Sequence, residues 1–236
     1  MKIALCLHGL FDSWTDLSSK GIDGNKHINA KILNNNNVDI YIHSWQPEKQ
    51  IEIKKLYNPK NSVFEPQINF ENIVNERNLH KLTNCPRPPK SVLSHFFSIQ
   101  KSFELCYSSG INYDIIIKSR FDLGRINRNT SQEYPVQCIN FDKNLDMSYF
   151  YMADWPRFNC GPADMWFYSG YENMKNFTKI YDDLNKHFYI GSDFHKFAFQ
   201  IESNYGDLSN SVIFYKFWLE KNGLWNIKKP LQCFYE

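Results

Sequence analysis

Apolar residues in this chain gather in short runs separated by polar stretches, and the spacing inside each run distinguishes strand from helix. Ile3 to Leu7 is unbroken and stops at His8-Gly9, as expected of a buried parallel strand that feeds a loop at its carboxyl end. After a polar stretch ending in Asn34 to Asn37, Val38 to His43 alternates as a second strand and closes on Ser44-Trp45-Gln46-Pro47. Glu48 to Tyr57 fits a short helix and Val63 to Ile68 a short extended piece, with polar residues from Asn69 to Asn84 following. Pro86-Arg87-Pro88-Pro89 is a rigid breaker. Beyond it, Val92, His95, Phe96, Ile99, Phe103, Leu105 and Cys106 recur at helical spacing, which predicts a helix from Ser91 to about Tyr107, ended by Gly110.

Tyr113 to Lys118 reads as the central strand, apolar on both faces, with Ser119-Arg120-Phe121-Asp122 as a polar tip. Leu145 to Ala153 reads as extended and Met165 to Tyr168 as a further strand. Helices are expected over Tyr171 to His187, Asp193 to Ile201 and Ser209 to Lys221, with Gly223 as the stop. Strands alternating with helices predict an α/β fold, a Rossmann-like and mainly parallel sheet flanked by helices.

Composition narrows the classes. With 236 residues, 42% of them hydrophobic, the chain can fill one core, so a single domain over 1–236 is expected. The formal charge of +2 gives no field that selects nucleic acid, and no stretch nears the roughly 20 apolar residues that cross a bilayer. The opening apolar run is too short for a signal segment, and Asp12 and Asp16 follow it, so a cytoplasmic location is expected. The cysteines at 6, 85, 106, 138, 160 and 233 are spread singly, without metal spacing, and read as reduced packing residues. The sequons at Asn129 and Asn176 read as accidental in a chain rich in asparagine.

His8-Gly9-Leu10-Phe11 looks like the His-Gly loop of α/β-hydrolases, but that chemistry needs a nucleophile on a G-x-S-x-G turn. Gly191-Ser192-Asp193 and Tyr168-Ser169-Gly170 lack the second glycine, and neither a Walker A sequence nor G-x-G-x-x-G is present. The other strand end offers more. Lys118, Ser119, Arg120 and Asp122 combine cations that pair with phosphate and a carboxylate that can hold Mg2+ or Mn2+. The structural alternative is that Asp122 caps the next segment and Arg120 pairs with a nearby acid. Asp164, after Gly161-Pro162-Ala163, and Asp154 are candidate general bases, with turn formation as the alternative for Asp164. Trp155, Phe158, Trp166 and Tyr168 lie near these acids as stacking or core residues, and His8, His43 and His95 fall at strand ends or on a helix face. His187 and His195 read as helix-surface residues.

In order along the chain, Met1 to Gly9, Val38 to Trp45, Ser94 to Lys101, Tyr113 to Leu123 and Gly161 to Ser169 resemble blocks of small viral and bacterial glycosyltransferases with a GT-A type fold. The resemblance implies a nucleotide-sugar-binding half over about 1–125 and an acceptor half over 126–236. It implies a nucleotide-sugar donor held by His8, Gly9, Trp45, Lys118, Arg120 and Asp122, with Asp122 as ligand of Mn2+ or Mg2+. A glycan acceptor would be activated by Asp164 or Asp154, and a viral source would set the enzyme in the host cytoplasm. The chain departs from the family where Arg120 replaces the first acid of Asp-x-Asp and where Leu10-Phe11-Asp12 lacks a basic residue. A noncatalytic nucleotide- or glycan-binding protein of the same fold is the rival reading, with a metal-dependent phosphate-ester hydrolase behind it.

Overall fold

The opening apolar run forms an inner strand of a seven-stranded sheet in this computed structural model, which describes residues 1–12, 20–79, 88–124, 138–155, 158–201 and 210–232. Strand β1 (Ile3–Gly9) lies between β2 (Val38–Ser44) and β4 (Ile115–Arg120), parallel to both. β3 (Asn61–Phe64) extends one side in parallel. On the other side β6 (Trp166–Ser169) runs antiparallel to β4, and β5 (Phe150–Ala153) and the edge strand β7 (Lys228–Leu231) complete the order β3-β2-β1-β4-β6-β5-β7. The expected mainly parallel sheet holds, with β6 as its reversed member.

Eight α-helices accompany these strands among the described residues: α1 (Lys20–Ile28, continued by a π turn over Asn29–Leu33), α2 (Gln50–Tyr57), α3 (Glu71–Glu76), α4 (Pro89–Tyr107), α5 (Tyr171–Lys175), α6 (Ile180–His187), α7 (Asp193–Ile201) and α8 (Ser211–Lys221). The period-two alternation of the strands divides the core between two faces. Ala4, Cys6, Tyr41, Ile116 and Phe167 pack under α4, α6 and α8 against Phe96, Ile99, Phe103, Phe214 and Trp218. Ile3, Leu5, Leu7, Ile42, Ile115 and Ile117 pack on the other face against Ile28, Ile32, Ile53 and Tyr57 of α1 and α2. None of the helices among the described residues is long and apolar enough to cross a membrane.

Several boundaries differ from the sequence expectation. The central strand begins at Ile115, because Tyr113 turns aside to join Tyr41 and Asp39 through its hydroxyl, at 2.6 and 2.7 Å. It ends at Arg120, whose N–H donates to the Met165 carbonyl at 3.2 Å, so Ser119 and Arg120 belong to the sheet and not to a loop tip. The helix expected over 171–187 is broken by a 3-10 turn, Asn176–Lys179. Only Phe150–Ala153 of the 145–153 region is strand. Helices α1 and α3 occupy stretches that read as polar, and β7 was not foreseen. In α1 the apolar signal is diluted by Gly24, where a Cβ would collide with the Phe121 carbonyl oxygen; glycine lets α1 lie close beside the end of β4. Cys6, Cys106 and Cys138 are buried, as packing residues are. Cys85, Cys233, the sequon at Asn129, the Pro86-Arg87 part of the breaker, the side chain of Phe158 and the 125/126 division lie outside the described residues.

Candidate active site

The chain runs β1, β2, β3 outward on one side of β1 and then returns to place β4 on its other side, so the topological switch point lies between the carboxyl ends of β1 and β4. Adjacent connections leave such a point on opposite faces and open a crevice there. A cleft of about 510 Å³ sits at this place, lined among others by His8, Gly9, Trp45, Ser91, His95, Arg120, Asp122, Asp164 and Ser211. Sheet register sets its floor, since His8 lies directly beside His43 on β2 and beside Arg120 on β4.

Arg120 organises the charge. Its Nε and Nη2 donate to the two Asp122 oxygens at 2.8 and 2.7 Å, and its Nη1 stands 3.4 Å from both oxygens of Asp164. Burial works against the guanidinium charge, but Asp122 and Asp164 outweigh it and hold Arg120 firmly protonated. Behind Asp164, the fully buried ammonium of Lys118 donates to the Asp164 backbone carbonyl and lies over the rings of Phe167 and Tyr215, 4.9 and 5.5 Å from their centroids. Burial lowers the Lys118 pKa to about 7 even though Asp164 pulls it up. Lys118 therefore supports the segment carrying Asp164 and does not line the cleft.

On the helix side, His95 of α4 places Nε2 3.1 Å from the Tyr215 hydroxyl and 4.0 Å from an Asp164 oxygen. His8 meets His95 edge to face, with ring centroids 5.2 Å apart. Burial, with Lys118, His95, Arg120 and His43 around it, holds His8 well below its usual pKa, so the ring is neutral at pH 7. Among the described residues, neither His8 ring nitrogen nor the indole N–H of Trp45 has a hydrogen-bond partner, although all three atoms are buried. A neutral imidazole has one donor and one acceptor, and each buried group left unmet costs about 1–3 kcal/mol. His8 and Trp45 both belong to the residues that line the cleft.

Gly9 between them adopts φ +99° and its N–H donates to Ser98 Oγ at 2.9 Å. Ser98 Oγ in turn meets His43 Nδ1 at 2.7 Å, and His43 Nε2 meets Glu65 at 3.0 Å. This chain of bonds pins the cleft floor to α4, and it accounts for His43 as a supporting residue set apart from the cleft lining.

Of the residues singled out in the sequence, His8, Gly9, Trp45, Arg120, Asp122 and Asp164 converge on the cleft, and His95 joins them. Asp154 does not: it is exposed past the end of β5, with its N–H on the Leu231 carbonyl. Trp166 and Tyr168 are core residues, bonded to the Cys138 and Asn140 carbonyls, and Trp155 donates to the Gly161 carbonyl. Gln67, Ser94 and Ser211 complete the walls without a motif to announce them. A divalent ion does not fit these donors as they stand. Both Asp122 oxygens are taken by Arg120, and among the described residues no three His, Cys, Asp or Glu side chains converge as ligands. No protein-family model matches the chain, and comparison with curated proteins and with solved structures finds no similar protein.

Proposed function

We propose that this protein is a glycosyltransferase of GT-A type that moves a sugar from a nucleotide-sugar donor to a hydroxyl of a glycan acceptor. The observation that carries the reading is the cleft itself. It lies at the switch point of a mainly parallel sheet and brings the Arg120 guanidinium together with the Asp122 and Asp164 carboxylates in one lining that also includes His8 and Trp45. The donor diphosphate meets Arg120, whose positive charge offsets the charge that develops on the leaving phosphate as the glycosidic bond breaks. His8, Gly9 and Trp45 contact uncharged polar parts of the donor. In an inverting transfer Asp164 accepts the proton of the acceptor hydroxyl as its oxygen attacks the anomeric carbon, and the nucleoside diphosphate departs.

A second reading has a specific observation in its favour. Arg120 is already shared between two carboxylates, which suits a protein that keeps the fold and binds a ligand without turnover. Thermal-shift measurements with UDP-, GDP-, CMP- and dTDP-sugars, with and without Mn2+, on the wild type and Arg120→Ala, test donor binding. A rise in melting temperature for one nucleotide family that is lost in the variant is expected. No rise for any donor would remove the donor site from both readings, whereas binding without donor cleavage would favour the noncatalytic one.

A further inference from the structure

The family resemblance implies a divalent ion with Asp122 as its ligand, yet the carboxylates of this cleft already hold a cation that belongs to the chain. Arg120 engages Asp122 through both arms of its fork, at 2.8 and 2.7 Å, and turns its remaining Nη1 to both oxygens of Asp164, at 3.4 Å each. A planar guanidinium matches two carboxylate oxygens in a way that no other side chain does. Its position is set by the sheet: Arg120 is the last residue of β4, level with His8 of β1 and tied through its N–H to the Met165 carbonyl. The side chain remains 29% exposed, so it can still meet a ligand in the cleft. Lys118, on the same strand and the same face, lies behind Asp164 and holds its backbone carbonyl, which fixes the Asp164 segment beside Arg120.

From this geometry we infer that Arg120 occupies the place of the divalent ion, and that the site meets anionic ligands with a built-in monovalent cation and holds no Mn2+ or Mg2+ of its own. The inference deepens the transferase reading and rests on it only for the identity of the anion. It explains why the acid that would complete a metal-binding pair is absent at position 120: a carboxylate there would leave Asp122 and Asp164 facing each other and an additional negative charge. It also means that a chelator cannot strip the charge from the site.

The test uses Mn2+ alone, with uptake followed by loss of the free-ion electron paramagnetic resonance signal, so it needs no nucleotide and stands whether or not any sugar donor binds. Wild-type protein treated with EDTA and dialysed is expected to leave added Mn2+ free. Arg120→Ala, which takes the guanidinium away from Asp122 and Asp164, is expected to bind Mn2+ at least tenfold more tightly than the wild type, and the double variant Arg120→Ala/Asp122→Asn to lose that gain. Arg120→Gln, which keeps the length of the side chain and removes its charge, serves if Arg120→Ala does not fold. Uptake by the wild type that disappears in Asp122→Asn would overturn the inference, and so would absence of uptake by a folded Arg120 variant.

Discussion

The two faces of β1 and β4 are built from alternate residues of the same two strands, yet they end differently. On the α1 and α2 side, Leu5, Leu7, Ile115 and Ile117 are apolar and fully buried, and Ser119, beside Leu7, is the single uncharged polar residue that ends the row. On the α4 and α8 side, Cys6 gives way to His8, and Ile116 to Lys118 and Arg120. A strand that is apolar on one face and turns polar on the other over its last residues can hold the fold together and still present chemistry at its carboxyl end. The polar face carries costs that the apolar face does not, namely a buried lysine, an imidazole without a partner among the described residues and a shared guanidinium. Burdens of this kind concentrate where a protein binds or reacts.

Substitutions on the two faces separate these roles. On the apolar face, Leu7→Ala should lower the free energy of unfolding by about 2–5 kcal/mol, measured by urea denaturation, while the protein that remains folded keeps its affinity for ligand. If affinity falls with stability, the faces are not independent. On the polar face, Lys118 should make stability depend on pH. Its folded pKa lies near 7, below the unfolded value near 10.5, so between these limits the unfolded chain binds more protons. The resulting destabilisation is complete below pH 7 and fades as pH rises towards 10.5, with a slope of up to about 1.4 kcal/mol per pH unit. Lys118→Met should remove that part of the slope in urea titrations at pH 6.5 to 9; an unchanged slope would mean that Lys118 stays charged in the folded protein.

Smaller effects sharpen the same contrast. His8→Leu removes two unmet polar atoms and should raise stability by about 1 kcal/mol while weakening ligand binding. A loss of stability would show that His8 is satisfied by ordered water in the free protein. Ile51, 85% exposed on α2, lies away from both the core and the cleft, and Ile51→Ser should change stability by no more than about 0.5 kcal/mol.

Much of the apolar framework could be read from the chain, because β1, β2 and α4 carry long, regular patterns set by local burial. Helix α1 could not, since its two glycines serve close approach to Phe11 and Phe121, contacts that no local period records. Strand β7 could not either: Lys228-Lys229-Pro230-Leu231 has no alternation, and a proline is tolerated there because β7 lies at the sheet edge. The reversed direction of β6 is a matter of topology to which its apolar run is blind. At the site, strand-end placement picked out His8, Arg120 and Asp122, and the carboxylate after Gly161-Pro162-Ala163 picked out Asp164; all four line the cleft. It did not separate Lys118, which α8 covers through Tyr215, from the groups that face the cleft. Nor did it separate Asp154 from Asp164, because nearness along the chain to an aromatic cluster says nothing of which strand end points to the switch point.

The central claim, that the polar face of β1 and β4 forms the donor site of a sugar transferase, is tested most directly by donor cleavage. Release of nucleoside diphosphate from each class of nucleotide sugar should be followed for the wild type and for Asp164→Asn, with binding measured in parallel. Slow cleavage of one donor class by the wild type is expected, falling about 10²- to 10⁴-fold in Asp164→Asn while the donor still binds. Absence of cleavage of any donor by the wild type, or cleavage undiminished in Asp164→Asn, would contradict it.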